Sequence, residues 1–243
     1  FKIKIMDSNR NMRFTSSQIY RLTSKDKEKG FAGYVKEVYY ETLLGRRLEN
    51  ETNARPTSWG NLVEKRAFDV LGIEYDLVSK STIIHKDSEF SDYWCGTPDL
   101  IKDTQQKTVC DIKCPMTLKS FCTFYECNTI EDVIKLHKDG KKYFYQLVSN
   151  AILTDSTHAE LIIYVPYKSE LEEIRDLANN YDGDQNKIAW INWSNDSDLP
   201  YLIDGGYYNN IKKISFEVTD TMKDELVGYV RLAISELENL KNN

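Results

Sequence analysis

The sequence has no apolar run near the ~18 residues that a membrane-spanning helix needs; the longest, around 161–165, is strand-sized. No secretory leader is expected, because Phe1-Lys2-Ile3-Lys4-Ile5 alternates charge and apolarity instead of forming an apolar block. Glycine and proline are sparse, 11 and 5 among 243 residues, and there is no repeat or low-complexity linker to mark a domain boundary. One domain over 1–243 is therefore expected. No Ser/His/Asp arrangement and no glycine-rich phosphate loop is present, which makes a small-molecule hydrolase a distant reading. His85, His137 and His158 are scattered and fit no metal-ligand spacing. Five cysteines, an odd number with no leader in view, argue against a disulfide framework and for reduced thiols in a cytoplasmic setting.

What is present is an ordinary globular composition, 41% hydrophobic and 29% charged. The net charge of -6 argues against a non-specific nucleic-acid coat, but its distribution is uneven. Residues 1–30 hold eight bases and three acids, giving +5, so the remainder carries -11. A basic segment on an acidic body can bind a phosphate locally.

Thr15-Ser16-Ser17-Gln18 has capping-box spacing and predicts a short helix through Leu22. Further helices are expected over 31–44, stopping at Gly45, and over 58–71, stopping at Gly72. Residues 81–85, 93–101 and 107–113 read as strands, with a hairpin turn at 103–106. A helix over 143–153, a strand over 159–165 and a polar helix over 169–179 follow. Strands at 187–193 and 214–218 and a last helix at 221–240 complete the chain. The pattern predicts an α/β fold, a central mixed sheet flanked by helices. The tyrosines and the pair Trp190 and Trp193 are expected to pack the core rather than stack bases.

The chemistry gathers around Cys110-Asp111-Ile112-Lys113-Cys114. On a strand, Val109, Asp111 and Lys113 share one face, and Cys110, Ile112 and Cys114 the other. A carboxylate and an ammonium then sit side by side at the end of an apolar strand, which is costly unless they are paired or bind a metal. A turn at 103–106 brings Asp99 of Pro98-Asp99 back beside Asp111. Two carboxylates that close repel, and a divalent cation relieves the repulsion; hard oxygen ligands suit Mg²⁺ or Mn²⁺. Glu64 is related to Ala67 and Leu71 by i, i+3 and i+7, so it borders the buried stripe of its helix and can reach the same place.

Glu64, Pro98-Asp99 and Asp111-Ile112-Lys113 together follow the pattern of the PD-(D/E)xK nuclease superfamily. Gly60 to Ala67 resembles the G-x-x-x-E-x-x-A helix of the phage lambda exonuclease family, the YqaJ-like viral recombinases. Asp111-Ile112-Lys113-Cys114-Pro115 is similar to that family's (E/D)-(I/L)-K-C-P strand end, and Tyr143 to Gln146 to its Y-x-x-Q helix. Arg10 to Ser17 resembles its R-x-x-x-(F/I)-T-(A/G)-S start. The four motifs occur in the family's order between about Arg10 and Thr154, and no motif is matched beyond Pro166, so the resemblance implies a catalytic core at about 10–166 with 167–243 as elaboration. Where the family usually has Glu in E-x-K, this chain has the shorter Asp111.

The resemblance implies a PD-(D/E)xK core with Asp99, Asp111 and the backbone carbonyl of Ile112 as metal ligands, and Glu64 on a second metal or a metal-bound water. It implies that Lys113 positions the attacking water and that Gln146 holds that water or the scissile phosphate. Arg10, with Arg13 as the alternative, and Ser17 would bind a 5′-terminal phosphate. The implied activity is Mg²⁺-dependent 5′→3′ digestion of the 5′-phosphorylated strand at double-stranded DNA ends, with Mn²⁺ able to substitute. The implied assembly is a homotrimeric ring, working beside a single-strand annealing protein in phage recombination, in the cytoplasm of a bacterial host. An endonuclease of the same superfamily and a non-catalytic DNA-binding module are the alternatives. Cys110, Cys114, Cys122 and Cys127 match no cluster or zinc spacing and are expected to pack or remain free thiols.

Overall fold

The computed structural model describes residues 10–26, 28–48, 54–72, 75–77, 81–102 and 105–242. Lys2, Lys4 and Lys27 of the basic N-terminal segment lie outside them. The larger sheet has five strands: β2 (Asp76–Leu77), β5 (Leu100–Lys102), β6 (Thr108–Lys113), β7 (His158–Tyr164) and β8 (Ile211–Glu217), adjacent in that order. Only β6 and β7 run parallel; the other pairs are antiparallel. A smaller sheet places β4 (Trp94–Gly96) between β1 (Phe14–Thr15), which is parallel to it, and β3 (Ile83–Ile84), which is antiparallel.

The strand periodicity of two sorts side chains onto two buried faces. Val109, Ala159, Leu161, Ile163 and Ile214 join one cluster, with α1 (Phe31–Leu44), α5 (Gly140–Thr154) and α8 (Asp220–Asn242). Cys110, Ile112, Ile162 and Tyr164 join the other, with α2 (Arg55–Leu71), α6 (Leu171–Asn179) and α7 (Ala189–Trp193). The central strand β7 is covered on both faces, which is why it reads as a continuous apolar run. Helices α3 (Leu118–Glu126), α4 (Ile130–Leu136) and α5 form the crossover that the parallel β6–β7 pair requires. The first two of these escape the sequence patterns above, although Thr129 and Asp132 form a capping box at the start of α4.

Helix α1 matches its predicted bounds because Gly45 takes the left-handed conformation, φ 65°, that ends a helix. Helix α2 starts three residues earlier than predicted, with Pro56 in its first turn. Three predicted elements differ. Thr15 does not cap a helix: Phe14 and Thr15 pair with β4, the Thr15 N–H donates to Tyr34 Oη at 2.9 Å, and a 3₁₀ turn begins only at Ile19. Strand pairing satisfies the backbone that a helix start would have used.

The predicted strand over 93–101 is instead two strands in two sheets, broken at Thr97-Pro98-Asp99, where Pro98 has no N–H for a ladder. Residues 187–193 are not extended: a 3₁₀ turn ends at Lys187 and α7 covers Ala189–Trp193, with Ile188 and Ile191 as the buried positions, three apart. Trp190 packs against Trp59 with ring centres 6.4 Å apart, whereas Trp193 is 87% exposed and contributes nothing to the core expected of it. Of the predicted turn, Asp103 and Thr104 lie outside the described residues; β5 and β6 on either side pair antiparallel. No described helix is long and apolar enough to cross a membrane.

Candidate active site

The register of β5 on β6, Leu100 opposite Cys110, puts Asp99 one step beyond the last rung and level with Asp111–Ile112. The Ile112 N–H donates to Asp99 Oδ2 at 2.8 Å, so the Pro98-Asp99 corner is fastened to β6 by a carboxylate in place of a backbone carbonyl. Asp111 is 1% exposed. Gln146 Nε2, from α5, donates to its Oδ1 at 2.7 Å, and Lys113 Nζ lies 2.5 Å from its Oδ2. Both carboxylate oxygens are thereby held, one by the helix and one by the neighbouring residue on the same strand face.

Glu64 approaches from the opposite layer. Gly60 of α2 faces the end of β6, where an added Cβ would lie 4.0 Å from the Cys114 carbonyl. Glu64 follows four residues later on the same helical face. Its charge acts on both Asp99 and Cys114. Arg66 on α2 pairs with Glu170 at 3.1 Å and with Glu173 of α6 at 2.8 Å, which holds the helix in place.

The electrostatics follow from this crowding. Burial, then the charges of Asp111 and Glu64, push the Asp99 carboxyl well above the usual carboxylate range. Burial works against the charge on Lys113, but Asp111 and Asp99 outweigh it and keep the ammonium protonated. Tyr143, one turn before Gln146 on α5, lays its ring 5.3 Å from Lys113 Nζ, and burial raises its own hydroxyl to about 12. The sequence motif contained Tyr143 but assigned it no task; the spacing of three from Gln146 was the signal that both face one site.

Three carboxylates against one ammonium leave an excess of negative charge in a largely buried setting. Hard oxygen donors in this balance fit a divalent cation of the Mg²⁺ type. Asp99, Asp111, Glu64 and the Ile112 carbonyl are the groups that would hold it. Among the described residues no three acidic, His or Cys side chains already form a metal cage, and the Lys113 ammonium sits beside Asp111 as its counter-charge.

The expected phosphate-binding residues flank β1, Arg10 and Arg13 before it and Ser17 after it. Arg13 Nε donates to the Ser91 carbonyl at 3.1 Å, and its guanidinium lies 3.9 Å from Asp92. Arg10 Nε is buried with no hydrogen-bond partner, so of the two arginines it is the one left with an unmet donor. Ser17 Oγ lies 3.4 Å from Thr15 Oγ1. Sequence reasoning missed the neighbouring Ser16, whose Oγ meets Ser149 Oγ of α5 at 2.8 Å. The cysteines are free thiols, with Cys95, Cys110 and Cys127 buried.

The whole architecture has solved counterparts. It is similar to an alkaline exonuclease, LHK-Exo, from Laribacter hongkongensis, at 18% identity and a TM-score of 0.59, covering 96% of this chain and 91% of that one. A complex of LHK-Exo with dAMP gives 17% and 0.60 over the same shares. A phage-related exonuclease from Haemophilus somnus gives 15% and 0.56, over 98% of each chain. The chain has the fold of these exonucleases. No protein-family model matches it, and no curated protein is significantly similar in sequence. The shared fold spans the β8 and α8 region as well as the stretch that carries the motifs.

Proposed function

We propose that this chain is a metal-dependent nuclease, and specifically a 5′→3′ exonuclease that digests the 5′-phosphorylated strand from double-stranded DNA ends. The observation that carries the reading is the meeting of Asp99, Asp111, Glu64, Lys113 and Gln146 at one end of β6, in a chain with an exonuclease fold.

A divalent cation bound to these carboxylates would lower the proton affinity of water and neutralise charge on the phosphate. The chain's own residues prepare the rest. Gln146 fixes the rotation of the Asp111 carboxylate through its amide N–H. Ile112 fixes Asp99 in the same way through its backbone N–H. Lys113 is held as a cation by Asp111 and capped by the Tyr143 ring, ready to stabilise charge developing on a phosphate oxygen. Water oxygen bonds to phosphorus, the P–O3′ bond breaks, and the leaving O3′ takes up a proton. Each released mononucleotide keeps its 5′-phosphate. Arg10 and Ser17 serve the terminal phosphate, with Arg13 already engaged by Ser91 and Asp92. Mg²⁺, with Mn²⁺ as substitute, a homotrimeric ring and an annealing partner in recombination belong to the same proposal.

The test is Mg²⁺-dependent digestion of linear duplex labelled on one strand, with 5′-phosphate or 5′-hydroxyl ends, beside a closed circle and the Asp111→Ala variant. Mononucleotides from the 5′-phosphorylated end, an intact circle and an inactive variant are expected. A cut circle would replace the exonuclease with an endonuclease. No metal-dependent cleavage of either DNA would leave the carboxylate cluster as a structural feature.

A further inference from the structure

Helix α5 touches both halves of the proposed site. Its Gln146 bonds Asp111 at 2.7 Å, and its Ser149, three residues on, meets Ser16 at 2.8 Å. One helical turn, about 5 Å along the axis, therefore separates the group that orients the hydrolytic carboxylate from the group that holds the stretch carrying Ser17.

The polarity of the Ser149 contact is fixed by its partners. Trp94 Nε1, which can only donate, donates to Ser149 Oγ at 2.9 Å. Ser149 then gives its own proton to Ser16 Oγ, and Ser16 gives its proton toward the Cys95 carbonyl at 3.4 Å. The reverse order would leave the Ser149 proton without an acceptor among these groups. Ser16, Ser149 and Trp94 are 0–2% exposed, so no water competes for these bonds. On the other side of Ser16, the Thr15 N–H is tied to the buried Tyr34 hydroxyl. Gly96 lets the two layers close: an added Cβ there would lie 2.1 Å from Ser16 Oγ.

We infer that Ser149 is a positioning residue that sets the distance between the terminal-phosphate subsite and the hydrolytic carboxylates. It touches no substrate; it acts through Ser16 on Ser17 and Arg10. The inference rests on the function proposed above. Its consequence is that selectivity for a 5′-phosphorylated end depends on a hydrogen bond buried away from the phosphate itself.

The test compares initial digestion rates on duplexes with 5′-phosphate and 5′-hydroxyl ends, for the wild type, Ser149→Ala and Trp94→Phe. Ser149→Ala is expected to lower the rate ratio about ten- to a hundredfold, the upper figure being the scale of an ~1 Å misplacement, with the 5′-hydroxyl rate kept. Trp94→Phe removes the other bond to Ser149 and leaves the Ser149–Ser16 pair, so it should lower the melting temperature while keeping the ratio. If Ser149→Ala melts below the assay temperature, Ser16→Ala breaks the same pair from the loop side. A selective wild type with an equally selective Ser149→Ala overturns the positioning role alone, as does an equal fall of the ratio in Trp94→Phe. A wild type that digests DNA without 5′-phosphate selectivity overturns the terminal-phosphate reading and the positioning role with it.

Discussion

Gly96 offers a sharp perturbation because space for a side chain is absent on three sides. A Cβ at this position would lie 2.1 Å from Ser16 Oγ, 2.6 Å from Asn150 Oδ1 and 2.7 Å from Leu153 Cδ1. Ordinary contact between such atoms is about 3.5–4.0 Å, so each approach is short by roughly an ångström. None of the three neighbours can move into solvent, since all are 0–2% exposed, and Ser16 is also held by Ser149. Overpacking of this kind costs about 1–3 kcal/mol, and three simultaneous overlaps put Gly96→Ala at about 3 kcal/mol. For a chain of this size that is a fall in melting temperature of about 6–12 °C. Thermal denaturation followed by circular dichroism reads it directly. The strand also leads into Thr97-Pro98-Asp99, so an outward shift of β4 should reduce cleavage even well below the melting temperature. A variant that melts within ~2 °C of the wild type would refute the packing of α5 on β4 described here.

Two further perturbations probe separate parts of the molecule. Glu160, 5% exposed on β7, accepts from Tyr75 at 2.6 Å and from Ser215 at 2.7 Å, and pairs with Lys102 at 3.2 Å. Burial pushes its carboxyl up, but these partners outweigh burial and hold it below the ordinary range. Its stabilising contribution is therefore complete above the unfolded value, ~4.3, and is lost as pH falls through the lower folded one. Glu160→Gln should destabilise by about 2–3 kcal/mol at pH 7, and urea denaturation should show the gap closing toward pH 3. An equal gap at both pH values would contradict the charge assignment. At Tyr143, the ring rather than the hydroxyl caps Lys113. Tyr143→Phe should keep kcat within about twofold, while Tyr143→Leu should lower it about tenfold with little change in KM. Equal losses in both variants would point to the hydroxyl instead.

Much of the site was legible because it is local. Asp111 and Lys113 lie on one strand face by alternation alone, and one hairpin brings Asp99 to them. Tyr143 and Gln146 share a helix face by their spacing. What the sequence hid depends on long-range competition. The hydroxyl of Thr15 could cap a helix, but Tyr34 and the β4 edge, both distant in sequence, claim the backbone first. Residues 187–193 are rich in isoleucine and tryptophan, as strands are, yet Ile188 and Ile191 find their burial under α6 at helical spacing, leaving Trp193 in solvent. The Ser16–Ser149 pair joins residues 133 positions apart, and nothing in either neighbourhood announces it. Motif spacing already favours Arg10 over Arg13, but that its Nε is buried without a partner shows only in the folded chain.

The order of strands in the larger sheet bears on how the chain assembles. The β5–β6 hairpin is short-range and needs nothing beyond residue 113, so the two aspartates can meet before the rest of the sheet exists. β7 follows only after a connection of some 44 residues, 114–157, and its far edge stays bare until β8 arrives. Until then His158–Tyr164 is a seven-residue, largely apolar strand with one unpaired edge, the kind of segment that recruits other chains. The net charge of -6, with -11 beyond residue 30, works against such association by mutual repulsion while the sheet waits for its last strand.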